Sequence, residues 1–367
     1  MKILHILGYD EQKFNVPLVQ MLLNKQLGFE DDFSFATNHK ELYRAISKYG
    51  HAEYFEKGIA AYINEIYKSY DLIVIQGWNQ SVPRASVLKK QAAEKIVWRF
   101  WGSDSFPFEN ETNLKRRLAG YLFFRRLCRR IAGFYAIGYA VKTDMTFLEK
   151  RFQLSRDTKG FSLPFRYNEG QGAEYKNIYE QCKNRKSDAC RIMVGHSANE
   201  RENHIVTLER LKKYKNENIT VILVLSYGND AYRRSVISKA TEIFGEKVEI
   251  HLDMMPLNEY RKFLSGIDVF LIESLGSNAL GNVTDLVYFG KKIFVRKDSF
   301  LDQYLTHEAA DHFFVEDLEN MDFDSFASRD FNAEKNHRLL SWKEDDKAGV
   351  KAHKMLYNTY RRERNNE

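Results

Sequence analysis

Short apolar runs alternate with stretches of helical spacing along most of the chain. Lys2–Leu7 reads as a buried strand stopped by Gly8. Asn15–Leu27 follows, with Val16, Val19, Leu22 and Leu23 on one helical face. Phe33–Ala36, Asp71–Ile75 and Ile96–Phe100 are further strand candidates. Ile59–Tyr67 and Pro83–Glu94 are helix candidates, the second opened by its proline. This alternation implies right-handed βαβ units and a parallel sheet. The second half repeats the order. Arg191–Val194, Ile219–Leu225, Val248–His251, Val269–Ile272 and Ile293–Val295 read as strands. Glu202–Tyr214, Ala231–Phe244, Leu257–Leu264 and Gly281–Phe289 read as helices between them, with Gly245 and Gly290 as stops.

Residues 168–188 are rich in Gly, Asn, Glu, Gln and Lys, and so predict a linker. The expected organisation is an N-terminal Rossmann-like domain (1–167), the linker, a C-terminal Rossmann-like domain (189–340) and a closing segment (341–367). In that segment Ala352, Leu356 and Tyr360 share one helical face. The expected fold class is α/β of GT-B type. Two Rossmann-like domains would face each other across a cleft, and the C-terminal helix would pack back towards the N-terminal domain. The same scaffold suits a nucleotide-sugar epimerase or a non-catalytic binding protein, because fold alone does not set function.

Composition narrows the classes. Apolar residues make up 44% and aromatic residues 14% of the 367, which excludes a disordered chain. Lys+Arg 56 against Asp+Glu 50 gives +6, short of a dedicated nucleic-acid binder. Cys128, Cys182 and Cys190 form neither a disulfide framework nor a zinc spacing, which fits a reducing cytoplasm. The apolar run at the N-terminus is too short for a signal peptide. No stretch approaches the roughly 18–20 apolar residues of a membrane span; Tyr121–Val141 is broken by Arg125, Arg126, Arg129 and Arg130.

Candidate chemistry falls at strand ends. Gly8, Asp10 and Asn15 follow the first strand, where a glycine lets backbone approach a ligand and helix amides favour an anion or sugar hydroxyl. An ordinary βα turn is the alternative. Trp101-Gly-Ser-Asp104 combines an aromatic face for a sugar ring with a carboxylate for its hydroxyls or proton; the alternative is a core Trp and a helix cap. From Lys115 to Arg130, seven cations and no acid interleave with Leu, Tyr and Phe. That pattern suits an anionic membrane face or a lipid-linked diphosphate through Arg125, Arg126 and Arg129, or else a solvated helix face over a core face.

In the second half, Gly195, Ser197, Asn199 and the amides around them suit a diphosphate, or a helix cap. Glu273 ends a buried strand. Asn278, Gly281 and Asn282 lead the next helix, with Asp285 one turn in. Arg296 or Lys297 stands ready to neutralise a leaving diphosphate without a metal. Asp322-Phe-Asp324 matches D-x-D by letters only and reads as a solvated loop.

These motifs resemble the TDP-N-acetylfucosamine:lipid II N-acetylfucosaminyltransferase family, the 4-alpha-L-fucosyltransferase-like proteins of glycosyltransferase family 56. The resemblance rests on His5-Ile-Leu-Gly8 with Asp10 and Asn15, Trp101-Gly-x-Asp104 and the basic helix 114–130. It continues through Val194-Gly-x-Ser197 with His204-Ile205 and Gly281 through Gly290, spanning roughly residues 1–310. It implies a GT-B enzyme that transfers a deoxyaminosugar, with retention, from a nucleotide-sugar to an undecaprenyl-diphosphate-linked oligosaccharide at the inner membrane face. The setting would be enterobacterial common antigen or a related surface polysaccharide such as O-antigen. No metal or further cofactor and no nucleic-acid partner are expected. Asp104, Asp10 and Glu273 are the candidate catalytic groups. A retaining transfer needs no strong base; an inverting one would use Asp104 or Asp10. The sequence departs from the family pattern at Lys291-Lys292, where an apolar-Pro pair is expected, and at Asp285, where an aliphatic residue is typical.

Overall fold

The computed structural model describes residues 1–78, 84–102, 124–155, 157–164, 170–185, 188–276 and 278–366. The chain divides into two compact units. One comprises Met1–Glu169 with Asp346–Glu367; the other is Gly170–Asp345.

The first unit is built on seven parallel strands: β1 Lys2–Leu7, β2 Asp32–Thr37, β3 Ala52–Tyr54, β4 Leu72–Gln76, β5 Ile96–Arg99, β6 Ala136–Tyr139 and β7 Gly160–Ser162. Their order in the sheet is β3-β2-β1-β4-β5-β6-β7. Every residue of β4 is buried, as a strand covered on both faces requires. The period of two sorts β1 between two cores. Leu4 and Ile6 join Ile63, Leu127, Ile131, Leu148 and Phe152 on one face. Ile3 and Leu7 join Leu18, Leu22, Leu42, Leu356, Tyr357 and Tyr360 on the other. This second core is why the last helix, Ala348–Asn365, belongs with residues distant in sequence. Burying Leu356, Tyr357 and Tyr360 contributes on the order of 5 kcal/mol. Polar contacts set its register: the Tyr360 hydroxyl donates to the Asp71 carbonyl at 2.6 Å, and Arg361 pairs with Asp31 at 2.7 Å.

The second unit has six parallel strands: β8 Cys190–Val194, β9 Ile219–Val224, β10 Val248–His251, β11 Val269–Ile272, β12 Lys292–Val295 and β13 Phe313–Phe314. They are ordered β10-β9-β8-β11-β12-β13. Helices His204–Leu211 and Asp230–Phe244 bury Leu208, Leu211, Val236, Ala240 and Phe244 against one sheet face.

The linker expectation for 168–188 is corrected. Gln171–Cys182 is a helix with Tyr175, Ile178 and Cys182 buried. Its three large apolar side chains recur at helical spacing, and they outweigh the polar residues between them. Asp285 and the lysine pair are also absorbed by packing. The Asp285 carboxylate accepts from the Tyr175 hydroxyl at 2.8 Å and from Lys343 at 2.7 Å. Lys292 Nζ donates to the Ser325 carbonyl at 2.6 Å, and Lys291 is buried, which lowers its pKa. These departures from the family pattern therefore lie in the interior of this unit. Asp322 caps the short helix Phe323–Ala327 by accepting from the Ser325 amide, so the D-x-D letters serve a helix start. Among the described residues, no helix is long and apolar enough to cross a membrane.

Candidate functional site

In doubly wound sheets, ligands bind beyond the carboxyl ends of the strands where the strand order reverses. Each unit has one such point, β1/β4 in the first and β8/β11 in the second.

At β1/β4, the Gly8 amide donates to the Gln76 carbonyl at 3.1 Å. A Cβ at Gly8 would stand 1.9 Å from the Gly77 carbonyl oxygen. The glycine expected to admit a ligand therefore admits the neighbouring chain instead, letting two strand ends pass backbone to backbone. Beyond it the chain arranges a small aromatic nest. Tyr9 stacks on Trp101 with centroids 5.4 Å apart and planes at 22°, and Phe14 meets Trp101 edge-on at 5.7 Å. Asn15, in helix Gln12–Leu23, is fully buried. Its Nδ2 donates to the Tyr9 carbonyl at 2.8 Å. Its Oδ1 has no hydrogen-bond partner among the described residues. The His39 ring comes within 3.1 Å of the Gly8 carbonyl. The fold thus brings Gly8, Asn15 and Trp101 together and adds Tyr9, Phe14 and His39, which sequence reasoning missed. Tyr9 had a usable signal, lying between two residues already singled out. Asp10 is exposed on the same loop.

Asp104 lies outside the described residues, as does the first part of the basic segment. Residues 124–131 are helical, with Leu127, Cys128 and Ile131 in the core and Arg125, Arg126 and Arg129 exposed. The apolar positions interleaved in this part face the protein interior, and the cations face solvent.

At β8/β11, the Gly195 amide donates to the Leu271 carbonyl at 2.9 Å. Gly195 has φ +63°, and a Cβ there would meet His204 Nε2 at 2.1 Å. The loop that follows is filled by its own acid. The Glu202 carboxylate accepts from the His196 amide at 2.7 Å, the Ser197 amide at 3.3 Å and the Ser197 hydroxyl at 2.5 Å. His196 Nδ1 lies 2.9 Å from Oε1, the oxygen that accepts from the Ser197 hydroxyl, and His204 Nε2 lies 3.7 Å from Oε2. Burial alone would raise the Glu202 carboxyl, but His196, His204 and Ser197 leave it below its ordinary value. The expected role of this loop changes accordingly. The main-chain amides thought open to a diphosphate hold Glu202, Ser197 is buried, and Asn199 caps Glu200–Glu202 by accepting from the Arg201 amide at 3.0 Å. The reason is local: an acid five residues past the serine reaches back into the amides that a loop of this shape aims inward.

The Glu273 carboxylate is turned inward, 3.5 Å from both Arg210 and Thr207. Burial raises its pKa, and Arg210 offsets part of that rise. Asn203 Nδ2 donates to the Glu273 carbonyl at 2.9 Å, tying the two strand-end loops together. Further along, the Ser274 hydroxyl donates to Asn278 Oδ1 at 3.3 Å, and Asn282 Nδ2 donates to the Tyr260 hydroxyl at 2.9 Å. Gly281, in the first turn of helix Leu280–Tyr288, is exposed, and no other segment among the described residues comes within 4 Å of where its side chain would stand. Arg296 is half-buried just past β12.

Two all-parallel sheets, one of seven strands and one of six, each with its own switch point, define a GT-B protein. Solved structures with this fold cover nearly all of the chain. HepE from Anabaena in complex with UDP superposes with a TM-score of 0.67 at 12% identity, over 98% of this chain and 99% of that one. A glycosyltransferase from Rickettsia africae gives 0.64 at 12%, over 98% of each chain. A UDP-forming trehalose-phosphate synthase from Burkholderia xenovorans gives 0.63 at 12%, over 98% and 99%. No curated protein sequence matches the chain. The family model for 4-alpha-L-fucosyltransferase, glycosyl transferase group 56, matches residues 1–337, and the chain belongs to that family of glycosyltransferases.

Proposed function

We propose that the protein transfers a deoxyaminosugar such as N-acetylfucosamine, with retention and without a metal, from a nucleoside-diphosphate sugar to a polyprenyl-diphosphate-linked glycan. The unit 170–345 binds the donor and the unit carrying residues 1–169 binds the acceptor. The carrying observation is the helix entry after β11. Gly281 leaves open space in its first turn, Asn278 and Asn282 shape the approach, and Arg296 stands beyond the adjacent strand. A helix start of this kind favours a phosphate, and Arg296 supplies the positive charge that a departing diphosphate needs. The UDP bound by HepE supports a nucleotide donor.

On the acceptor side, Trp101, Gly8 and Asn15 lie together, with Asp10 exposed on the same loop. The buried Oδ1 of Asn15, without a partner among the described residues, supports a role as hydroxyl acceptor. Exposed Arg125, Arg126 and Arg129 suit the carrier's diphosphate and an anionic inner-membrane surface. Asp104 and Glu273 remain the proposed catalytic carboxylates.

The test is transfer of radiolabelled sugar from dTDP-, UDP- and GDP-linked donors to an undecaprenyl-diphosphate oligosaccharide, read by extraction into organic solvent. Asp104→Asn and Glu273→Ala should each lower transfer tenfold or more in a folded protein. Donor consumed without acceptor, giving an altered nucleotide sugar, would establish an epimerase instead.

A further inference from the structure

His196 is the first side chain beyond Gly195 at the end of β8. It stands two residues past Val194, which pairs with Leu271, as Glu273 stands two past Leu271. It is thus at the switch point of the donor unit. Its ring is held by a group with no other way out. Glu202 has a fully buried side chain, and its Oε1 lies 2.9 Å from His196 Nδ1. The remaining lone pairs of that carboxylate are occupied by the amides of His196 and Ser197 and the Ser197 hydroxyl. The His196 side chain is 15% exposed. Nδ1 is buried and makes no aligned hydrogen bond among the described residues, so the 2.9 Å approach of Oε1 is a close contact of ring and carboxylate. A carboxylate seated beside one imidazole nitrogen is an arrangement that orients a working histidine.

The same geometry removes the competing way of holding an anion here. With Glu202 seated on the loop amides, a phosphate arriving at this loop meets an imidazole rather than main-chain N–H groups. We propose that His196, oriented by Glu202, contacts the donor's diphosphate and donates a hydrogen bond from Nε2 to the departing nucleoside diphosphate. This inference rests on the assignment of the donor to this unit. In the transfer, the bond from the anomeric carbon to the β-phosphate oxygen breaks and its electron pair stays on that oxygen. The acceptor hydroxyl oxygen forms the new bond to the anomeric carbon, and its proton passes to the departing phosphate. The His196 ring keeps its proton and, through that hydrogen bond, stabilises the charge that develops. Glu202 acts as a positioning residue.

The ionisable groups around His196 are few. Glu202 lies beneath it. His204 and the Tyr232 hydroxyl lie behind Glu202, where burial holds His204 down at about 4 and so neutral. Tyr227, from the loop after β9, meets the ring edge-on at 6.0 Å. Glu273 is turned to Arg210 on the neighbouring strand end.

The experiment is calorimetric titration of the full chain with UDP, dTDP and GDP at a single pH, for the parent, His196→Gln and Glu202→Gln. His196→Gln should bind the parent's nucleotide roughly tenfold or more weakly, because a hydrogen bond to a charged group is the strong kind. It should also lower kcat more than it raises KM. His196→Gln is partly exposed and keeps the chain folded, so it carries the test alone if Glu202→Gln unfolds. Nucleotide binding with the parent's affinity in His196→Gln overturns the role of His196 while leaving the donor assignment intact. No binding of any nucleotide to the parent overturns the donor assignment and His196 with it.

Discussion

Moving the protein from pH 7.5 to pH 5 should cost it several kcal/mol through histidines that the fold keeps neutral. His353 is fully buried in the first unit, where its Nδ1 lies 2.9 Å from the Gly349 carbonyl. Burial lowers its pKa from 6.5 to about 4, with the Gly349 bond opposing and Arg99 reinforcing the shift. His204 in the second unit is lowered to about 4 for the same leading reason, with Glu202 opposing. The unfolded chain takes up a proton at each near pH 6.5, and the folded chain does so only near 4. Between those values the unfolded state holds more protons, so stability falls as the pH falls, and the loss is complete below about 4. At pH 5 each histidine costs about 2 kcal/mol, rising to about 3 kcal/mol at the acid limit.

His5 adds to the first unit. It is fully buried, and burial followed by the charge of His353 pushes its pKa well below the ordinary value. The first unit, with two such groups, should therefore be the more acid-sensitive. For units of this size, 2 kcal/mol corresponds to about 4–8 °C in Tm. Scanning calorimetry at pH 7.5, 6.0 and 5.0 on the parent and on His353→Gln measures it. The variant should lose about 2 kcal/mol less than the parent across this range. Equal acid sensitivity in parent and variant would refute the attribution to His353.

Gly8→Ala should lower the unfolding free energy by about 1–3 kcal/mol or more in chemical unfolding, since its Cβ would lie 1.9 Å from the Gly77 oxygen. Lys343→Met leaves the buried Asp285 carboxylate without its cation, which lies 2.7 Å away; a loss of about 3–5 kcal/mol is expected, most of it recovered when Asp285→Leu is added. Replacing Arg125, Arg126 and Arg129 together by Gln should weaken co-sedimentation with anionic vesicles while leaving Tm nearly unchanged, because all three are exposed. Vesicle binding equal to the parent's would assign these arginines to solvation alone.

Much of the fold is legible in the pattern of the chain. The buried runs at 2–7, 72–76, 219–224 and 269–272 are strands because continuous apolar stretches of that length fit a sheet covered on both faces. Glycine stops at 245 and 290 fall where the helices end. Short elements escaped. β3, β6 and β7 have three or four residues each, too few for periodicity to register. Helix Gln171–Cys182 was hidden by its polar composition, although Tyr175, Ile178 and Cys182 mark its buried face.

The site was legible by position but less so by contact. Strand ends rich in Gly, Asn and Trp announce where ligands approach, and the fold gathers Gly8, Asn15 and Trp101 at one of them. What fills a loop is a different matter. Nothing in the letters from Gly195 to His204 tells whether its amides await a phosphate or hold Glu202, since both need the same small residues and the same inward turn. The order of elements, the two sheets and the family follow from the chain's own periodicity and motifs, because burial on a regular backbone leaves a regular trace. The seating of Glu202 beneath His196, and the meeting of Tyr357 with His5 across 352 positions, were decided only in three dimensions. Such pairings depend on where side chains point and what they exclude, which spacing along a chain does not encode.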